Sequence, residues 1–168
     1  MYRSSTHRLI TTVALGLWLT IPANDVVADS LPSLVGMWHT TLTLGDSDTV
    51  YDEALEHYHG DATHLLISNG LPPALGNVCI GIYKKIGPRT YKLRHMTWNW
   101  SPDPNTILGD PVPGTWVGRF ELNLVLRLDE RGNSYTGRWS VKNFDTEENH
   151  IPGLDASGVV RGIRITVN

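Results

Sequence analysis

The sequence predicts an all-β protein: an eight-stranded antiparallel up-and-down barrel that follows a cleaved signal peptide. After residue 28 the chain has almost no helical periodicity. It contains instead short runs of alternating apolar and polar residues, rich in Thr, Val, Ile, Tyr and Trp. Gly, Pro, Asn and Asp separate these runs, as expected for strands joined by tight turns. The absence of helical patterns argues against an α/β fold, whereas an immunoglobulin-like sandwich is the competing all-β architecture.

The composition limits the class of protein. A chain of 168 residues with 40% hydrophobic content is sufficient for one folded domain. The net charge of -3 argues against non-specific nucleic-acid binding, which needs a basic surface. A single cysteine excludes an intramolecular disulfide framework and a Cys-rich zinc module.

The first 28 residues have the pattern of an export signal. Basic residues at Arg3 and Arg8 precede an apolar run over 9–21, and small residues end at Ala28. The run is shorter than the roughly 20 apolar residues that span a bilayer. We therefore expect a signal peptide over 1–28, a single barrel domain over 29–168, and a secreted or periplasmic protein without a stable membrane anchor. A buried N-terminal helix is the alternative.

Eight runs are predicted to be strands: 38–44, 50–59, 63–68, 78–84, 89–100, 115–128, 134–143 and 157–167. Residues 51–56 also fit the start of a helical turn. Residues 101–113 contain four prolines and are predicted to be a loop. An eight-stranded barrel has an interior wide enough for side chains or for one small ligand.

Two groups of residues resemble known families. The motif Gly36-Met37-Trp38 resembles the G-x-W of lipocalins and other calycins. In those barrels the tryptophan closes the base beneath an arginine from near the C-terminus, which implies that role for Arg161 or Arg164 here.

The second resemblance is to an exported bacterial lipocalin-like family, most of whose members have no assigned activity. It is carried by residues 59–63, 76–84 and 87–91, with an echo in 129–132 and Gly137. The resemblance implies a calycin-type small β-barrel. Ala62 stands where that pattern has a turn glycine, so it is expected to adopt a strained backbone conformation.

Histidines are the unusual feature of this chain. His57 and His59 share one strand face, and a two-residue turn at 61–62 would place His59 opposite His64. His95 joins them if its face points inward. Three imidazoles suit a catalytic zinc site, although a polar cross-strand cluster and acid–base catalysis are the other interpretations. The choice depends on which face of the second strand points inward.

Further candidates are a thiol and a group of aromatic residues. Cys79 is a nucleophile if a histidine lowers its pKa, and otherwise a small buried apolar residue. Candidate ligand contacts from the fifth strand are Tyr91, His95, Trp98, Asn99 and Trp100.

We therefore expect a barrel whose interior binds a small apolar molecule without a cofactor. The alternative is a cofactor-free isomerase, cyclase or lyase, with His59 or His95 as the general acid–base or Cys79 as the nucleophile.

Overall fold

The structure, a computed structural model, describes residues 32–70, 77–101 and 115–167. The predicted signal peptide and most of the predicted loop at 101–113 lie outside the described residues. Where the chain is described, no helix is long and apolar enough to cross a membrane.

Eight antiparallel strands form a closed barrel in which each strand pairs with its neighbours in sequence, and β8 pairs with β1. The strands are β1 (Gly36–Leu44), β2 (Val50–Tyr58), β3 (Thr63–Ser68), β4 (Val78–Lys85), β5 (Thr90–Ser101), β6 (Thr115–Leu128), β7 (Ser134–Phe144) and β8 (Ala156–Arg164). A 3₁₀ turn over Pro152–Leu154 precedes β8. The predicted fold class is thus confirmed, and the region 51–56 is strand rather than helix.

The alternating pattern of each strand separates a buried inner face from an exposed outer face. On β5 every second residue from Tyr91 to Thr97 is buried, while Lys92, Arg94, Met96 and Trp98 are exposed. Leucines from several strands supply much of the core: Leu42, Leu66, Leu93, Leu122, Leu124, Leu126 and Leu128. Burial of this apolar surface is the main favourable contribution to folding.

Residues 32–35 cross one end of the barrel, where β1 begins and β8 ends; we call it the closed end. Leu34 is completely buried there, and its carbonyl accepts a hydrogen bond from Trp38 Nε1 at 2.9 Å. The Arg164 guanidinium lies over the Trp38 ring. Of the two arginines that the calycin resemblance implied, Arg164 has this position, whereas Arg161 is exposed.

Candidate functional site

A polar cluster lies inside the barrel, centred on the carboxylate of Glu56 on β2. One of its oxygens, Oε2, accepts a hydrogen bond from the Tyr58 hydroxyl and another from the Tyr135 hydroxyl at 2.9 Å. Because a phenol has one proton and that of Tyr135 goes to Glu56, Thr40 Oγ1 donates to the Tyr135 oxygen, at 2.5 Å. All four side chains are buried.

Two imidazoles extend this cluster across β3 and β5. The rings of His64 and His95 lie 4.3 Å apart, and His64 Nε2 is 3.5 Å from Glu56 Oε2. Both histidines are almost completely buried. Neither ring nitrogen of either histidine has a hydrogen bond to any described residue, and Glu56 Oε1 has none. Unpartnered buried polar atoms are rare in folded proteins, so this group calls for an explanation.

The environment sets the charges of the cluster. Burial raises the pKa of Glu56, but the neighbouring His64, His95 and Tyr58 lower it more, so the net pKa is below the usual value. Burial, with the nearby His64, lowers the pKa of His95 to about 3. Burial and the adjacent carboxylate hold the pKa of Tyr58 and of Tyr135 well above their usual value. At neutral pH the cluster therefore contains an ionised Glu56, a neutral His95 and two protonated phenols.

Glycines on the inner face make room for two of these rings. A Cβ on Gly162 would lie 2.2 Å from Cζ of Tyr135, and a Cβ on Gly81 would lie 2.7 Å from Cδ2 of His95. Real Cβ atoms do not approach other atoms so closely, so only glycine admits these rings at full depth.

Small side chains follow the cluster on the inner face, toward the end of the barrel opposite the closed end. Two residues beyond Glu56 is Ala54, two beyond His95 is Thr97, and between them on β4 lies Cys79. All three are buried, whereas Leu66 on β3 pairs with both Glu56 and Cys79 and so lies level with the cluster. A layer of three small buried side chains, of which only Thr97 carries a hydroxyl, thus adjoins the two imidazoles.

The predicted histidine trio does not come together. The β2–β3 turn contains three residues, Gly60 to Ala62, because His59 pairs with Thr63, donating its backbone N–H to the Thr63 carbonyl at 3.0 Å. Tyr58, rather than His59, is therefore opposite His64. This register corrects the predicted one.

His57 and His59 consequently point away from the interior, with their rings 4.0 Å apart, while His64 points inward. Among the described residues, no three His, Cys, Asp or Glu side chains are grouped to hold a metal ion. The structure therefore does not assemble the candidate zinc site of His57, His59 and His64.

Cys79 is buried, and its surroundings do not favour the thiolate that a nucleophilic cysteine needs. Burial, with the nearby carboxylates of Asp52 and Glu56, raises the pKa of its thiol to about 12. A nucleophilic cysteine needs the opposite shift. The structure therefore favours the interpretation of Cys79 as a small core residue.

The candidate ligand contacts of β5 are divided between the two faces of the wall. Tyr91 and His95 are buried inside, whereas Trp98 is 56% exposed on the outside. Asn99 and Trp100 are half-buried on either side of a register shift, where the strict alternation of β5 ends. Trp98 therefore does not line the interior.

An apolar groove of about 470 Å³ lies on the outer surface of β4 and β5. Its floor is formed by exposed apolar side chains, notably Ile80, Ile82, Met96 and Trp98. Arg94 and Arg119 border it, but both are ion-paired with Glu121. A smaller depression of about 280 Å³ is formed by Trp98, Trp100 and Trp116.

Sequence reasoning missed Glu56, Tyr58 and Tyr135 as site residues. The signal that could have found two of them is the i, i+2 spacing of Ala54, Glu56 and Tyr58 on one strand face. The sequence alone does not identify that face as the inner one, because a shift of one residue in register exchanges the two faces of a strand.

Comparisons with known proteins identify no relative of this chain. No protein-family model matches the chain, and neither the curated proteins nor the solved structures show a significant match.

Proposed function

We propose that the barrel binds a small, largely apolar molecule in its interior, with one polar group of that molecule held by Glu56, His64 and His95. The observation that carries this proposal is the set of buried polar atoms on these three residues that have no hydrogen bond to any described residue. A bound molecule that supplies hydrogen bonds would offset the cost of burying them. The adjoining layer of Ala54, Cys79 and Thr97 offers small apolar surface to the rest of the ligand.

The interior is a better candidate than the outer groove. Binding pockets combine apolar walls with a few convergent polar groups that orient the ligand. The cluster supplies such groups, whereas the arginines beside the groove are already paired with carboxylates. The proposal also includes export of the protein and membership of the calycin-type barrels. The pairing of Trp38 with Arg164 supports the membership.

The geometry gives less support to catalysis by a histidine or a thiol. The pKa of His95 is about 3, so this histidine is a weak base at neutral pH. His59 lies outside the barrel wall, and its backbone carbonyl is occupied by the Tyr83 hydroxyl.

A fluorescence titration with N-phenyl-1-naphthylamine, an apolar probe, tests the proposal. The variant Ala54→Leu adds bulk beside the cluster, and we expect it to weaken probe binding at least tenfold. The matched control Leu55→Phe enlarges the next residue of β2, which points outward, and should leave binding within twofold. If Ala54→Leu does not fold, Cys79→Met places bulk in the same layer.

The outer groove requires its own control, because it is also apolar. Ile80→Glu introduces a charge at the most exposed residue of the groove floor, where Ile80 is 69% exposed. We expect this variant to bind the probe as the unmodified protein does. Loss of binding in Ile80→Glu but not in Ala54→Leu, or no binding by the unmodified protein, would contradict the proposal.

A further inference from the structure

We propose that the interior selects an uncharged ligand whose polar group donates a hydrogen bond, such as a hydroxyl, and rejects a carboxylate. The geometry that points to this is the different environment of the two oxygens of Glu56, together with the two imidazoles beside it. The inference rests on the proposed function, because it specifies the chemistry of the same interior site.

The Glu56 carboxylate presents an acceptor that the described residues leave unfilled. Both tyrosine hydroxyls, of Tyr58 and Tyr135, are directed to Oε2, and His64 approaches the same oxygen. Oε1 is buried and receives no hydrogen bond from the described residues. A carboxylate oxygen can only accept, so the complementary ligand atom must carry a proton.

His95 adds a second requirement. Burial keeps its imidazole neutral, because its pKa is lowered to about 3. A neutral imidazole has one N–H donor and one acceptor nitrogen, and both nitrogens of His95 lack a partner among the described residues. A hydroxyl group, which donates once and accepts as well, can therefore satisfy Glu56 and an imidazole together.

A carboxylate ligand lacks the proton and brings a second negative charge. In a buried layer, two anions repel strongly unless each is balanced. His95 is neutral and so cannot balance a second anion, and His64 Nε2 already faces the Glu56 carboxylate at 3.5 Å. An ether has no charge but also has no proton to give Oε1.

Three probes that each contain eight carbon atoms separate these requirements. Octan-1-ol donates and accepts, its isomer 1-methoxyheptane only accepts, and octanoate is anionic at pH 7.5. By isothermal titration calorimetry we expect octan-1-ol to bind at least tenfold more tightly than either of the other two. The comparison uses the unmodified protein, so it does not depend on whether any variant folds.

Two variants connect the selectivity to Glu56. Glu56→Gln removes the negative charge, and we expect the preference for octan-1-ol over octanoate to fall at least fivefold. His57→Gln, on the exposed outer face of the same strand, is the matched control and should leave both preferences unchanged.

The outcomes distinguish this inference from the proposed function. If octanoate or the ether binds as tightly as octan-1-ol while Ala54→Leu abolishes binding of the naphthylamine probe, the interior site stands and the selectivity is overturned. Equal binding of the alcohol and the ether would mean that water fills the acceptor. If neither the naphthylamine probe nor any of the three compounds binds, both proposals are overturned.

Discussion

The guanidinium of Arg164, near the end of the chain, lies 4.3 Å from the centre of the Trp38 ring on the first strand. Its nitrogens donate hydrogen bonds to three backbone carbonyls: those of Ser33 at 2.5 Å, Val35 at 2.7 Å and Gly132 at 2.7 Å. One side chain thus ties β8 to the segment that crosses the closed end and to the β6–β7 turn.

Removing this side chain should destabilise the barrel. We expect Arg164→Ala to lower the free energy of unfolding by about 2–4 kcal/mol, because three carbonyls lose a charged donor and Trp38 loses its cation. Arg164→Lys should recover only part of the loss, since an ammonium lacks the planar fork of donors. Chemical denaturation monitored by tryptophan fluorescence measures both changes.

Arg161 provides the control for that experiment. It lies on the same strand three residues away, and its side chain is exposed. Arg161→Ala should change the free energy of unfolding by less than about 0.5 kcal/mol. Equal losses in the two alanine variants would show that Arg164 has no special role at the closed end.

Ala62 is strained, and glycine should relieve the strain. Its φ is 70°, in the left-handed region that side chains disfavour. We expect Ala62→Gly to raise the free energy of unfolding by about 1 kcal/mol. Gly60, in the same turn, has an ordinary φ and open space where a methyl group would lie, so Gly60→Ala should not be destabilising. Thermal unfolding of the two variants measures both effects, and a lower melting temperature for Ala62→Gly would contradict the assignment of strain.

The strands and their order could be predicted from the sequence because both signals are local. Alternation over six to fourteen residues marks each strand, and Gly, Pro, Asn and Asp mark the turns. The resemblance of Gly36-Met37-Trp38 to the calycin motif implies the pairing of Trp38 with an arginine near the C-terminus, and it leaves Arg161 and Arg164 as the two candidates.

The candidate site could not be predicted so well, because it depends on a single turn. With Asp61 and Ala62 as a two-residue turn, the register would place His59 opposite His64. The left-handed Ala62 instead closes a three-residue turn, which moves Tyr58 opposite His64 and brings Glu56 inside. Register shifts of one residue exchange inside and outside, so a local backbone detail decided the composition of the interior.

Cys79 should be unreactive in the folded protein. Its side chain is 2% exposed and burial raises the pKa of its thiol to about 12, so almost no thiolate exists at pH 8. We expect alkylation by iodoacetamide at pH 8 to be about a thousandfold slower than in 6 M guanidinium chloride, where the thiol pKa returns to about 8.5. A Ser140→Cys variant places a thiol on an exposed position of β7 and should react rapidly without denaturant. Comparable rates for Cys79 in the folded and unfolded protein would contradict its burial.

His95 should make the protein less stable in mild acid. In the unfolded chain its pKa is about 6.5, whereas in the barrel burial lowers that pKa to about 3. Between these values the unfolded state binds the proton and the folded state does not, so stability falls as the pH falls from about 6.5 toward 3. For this one group the loss between pH 7 and pH 5 is about 2 kcal/mol.

The variant His95→Gln isolates this contribution, because glutamine does not titrate. We expect its free energy of unfolding to fall by about 2 kcal/mol less than that of the unmodified protein between pH 7 and pH 5. Glu56 and His64 face the same site and are present in both proteins, so the difference between the two curves reports the substitution at position 95. Ser140→Gln, at an exposed position of β7, introduces the same side chain away from the cluster and should leave the pH dependence unchanged. Parallel curves for His95→Gln and the unmodified protein would mean that His95 is not held neutral by burial.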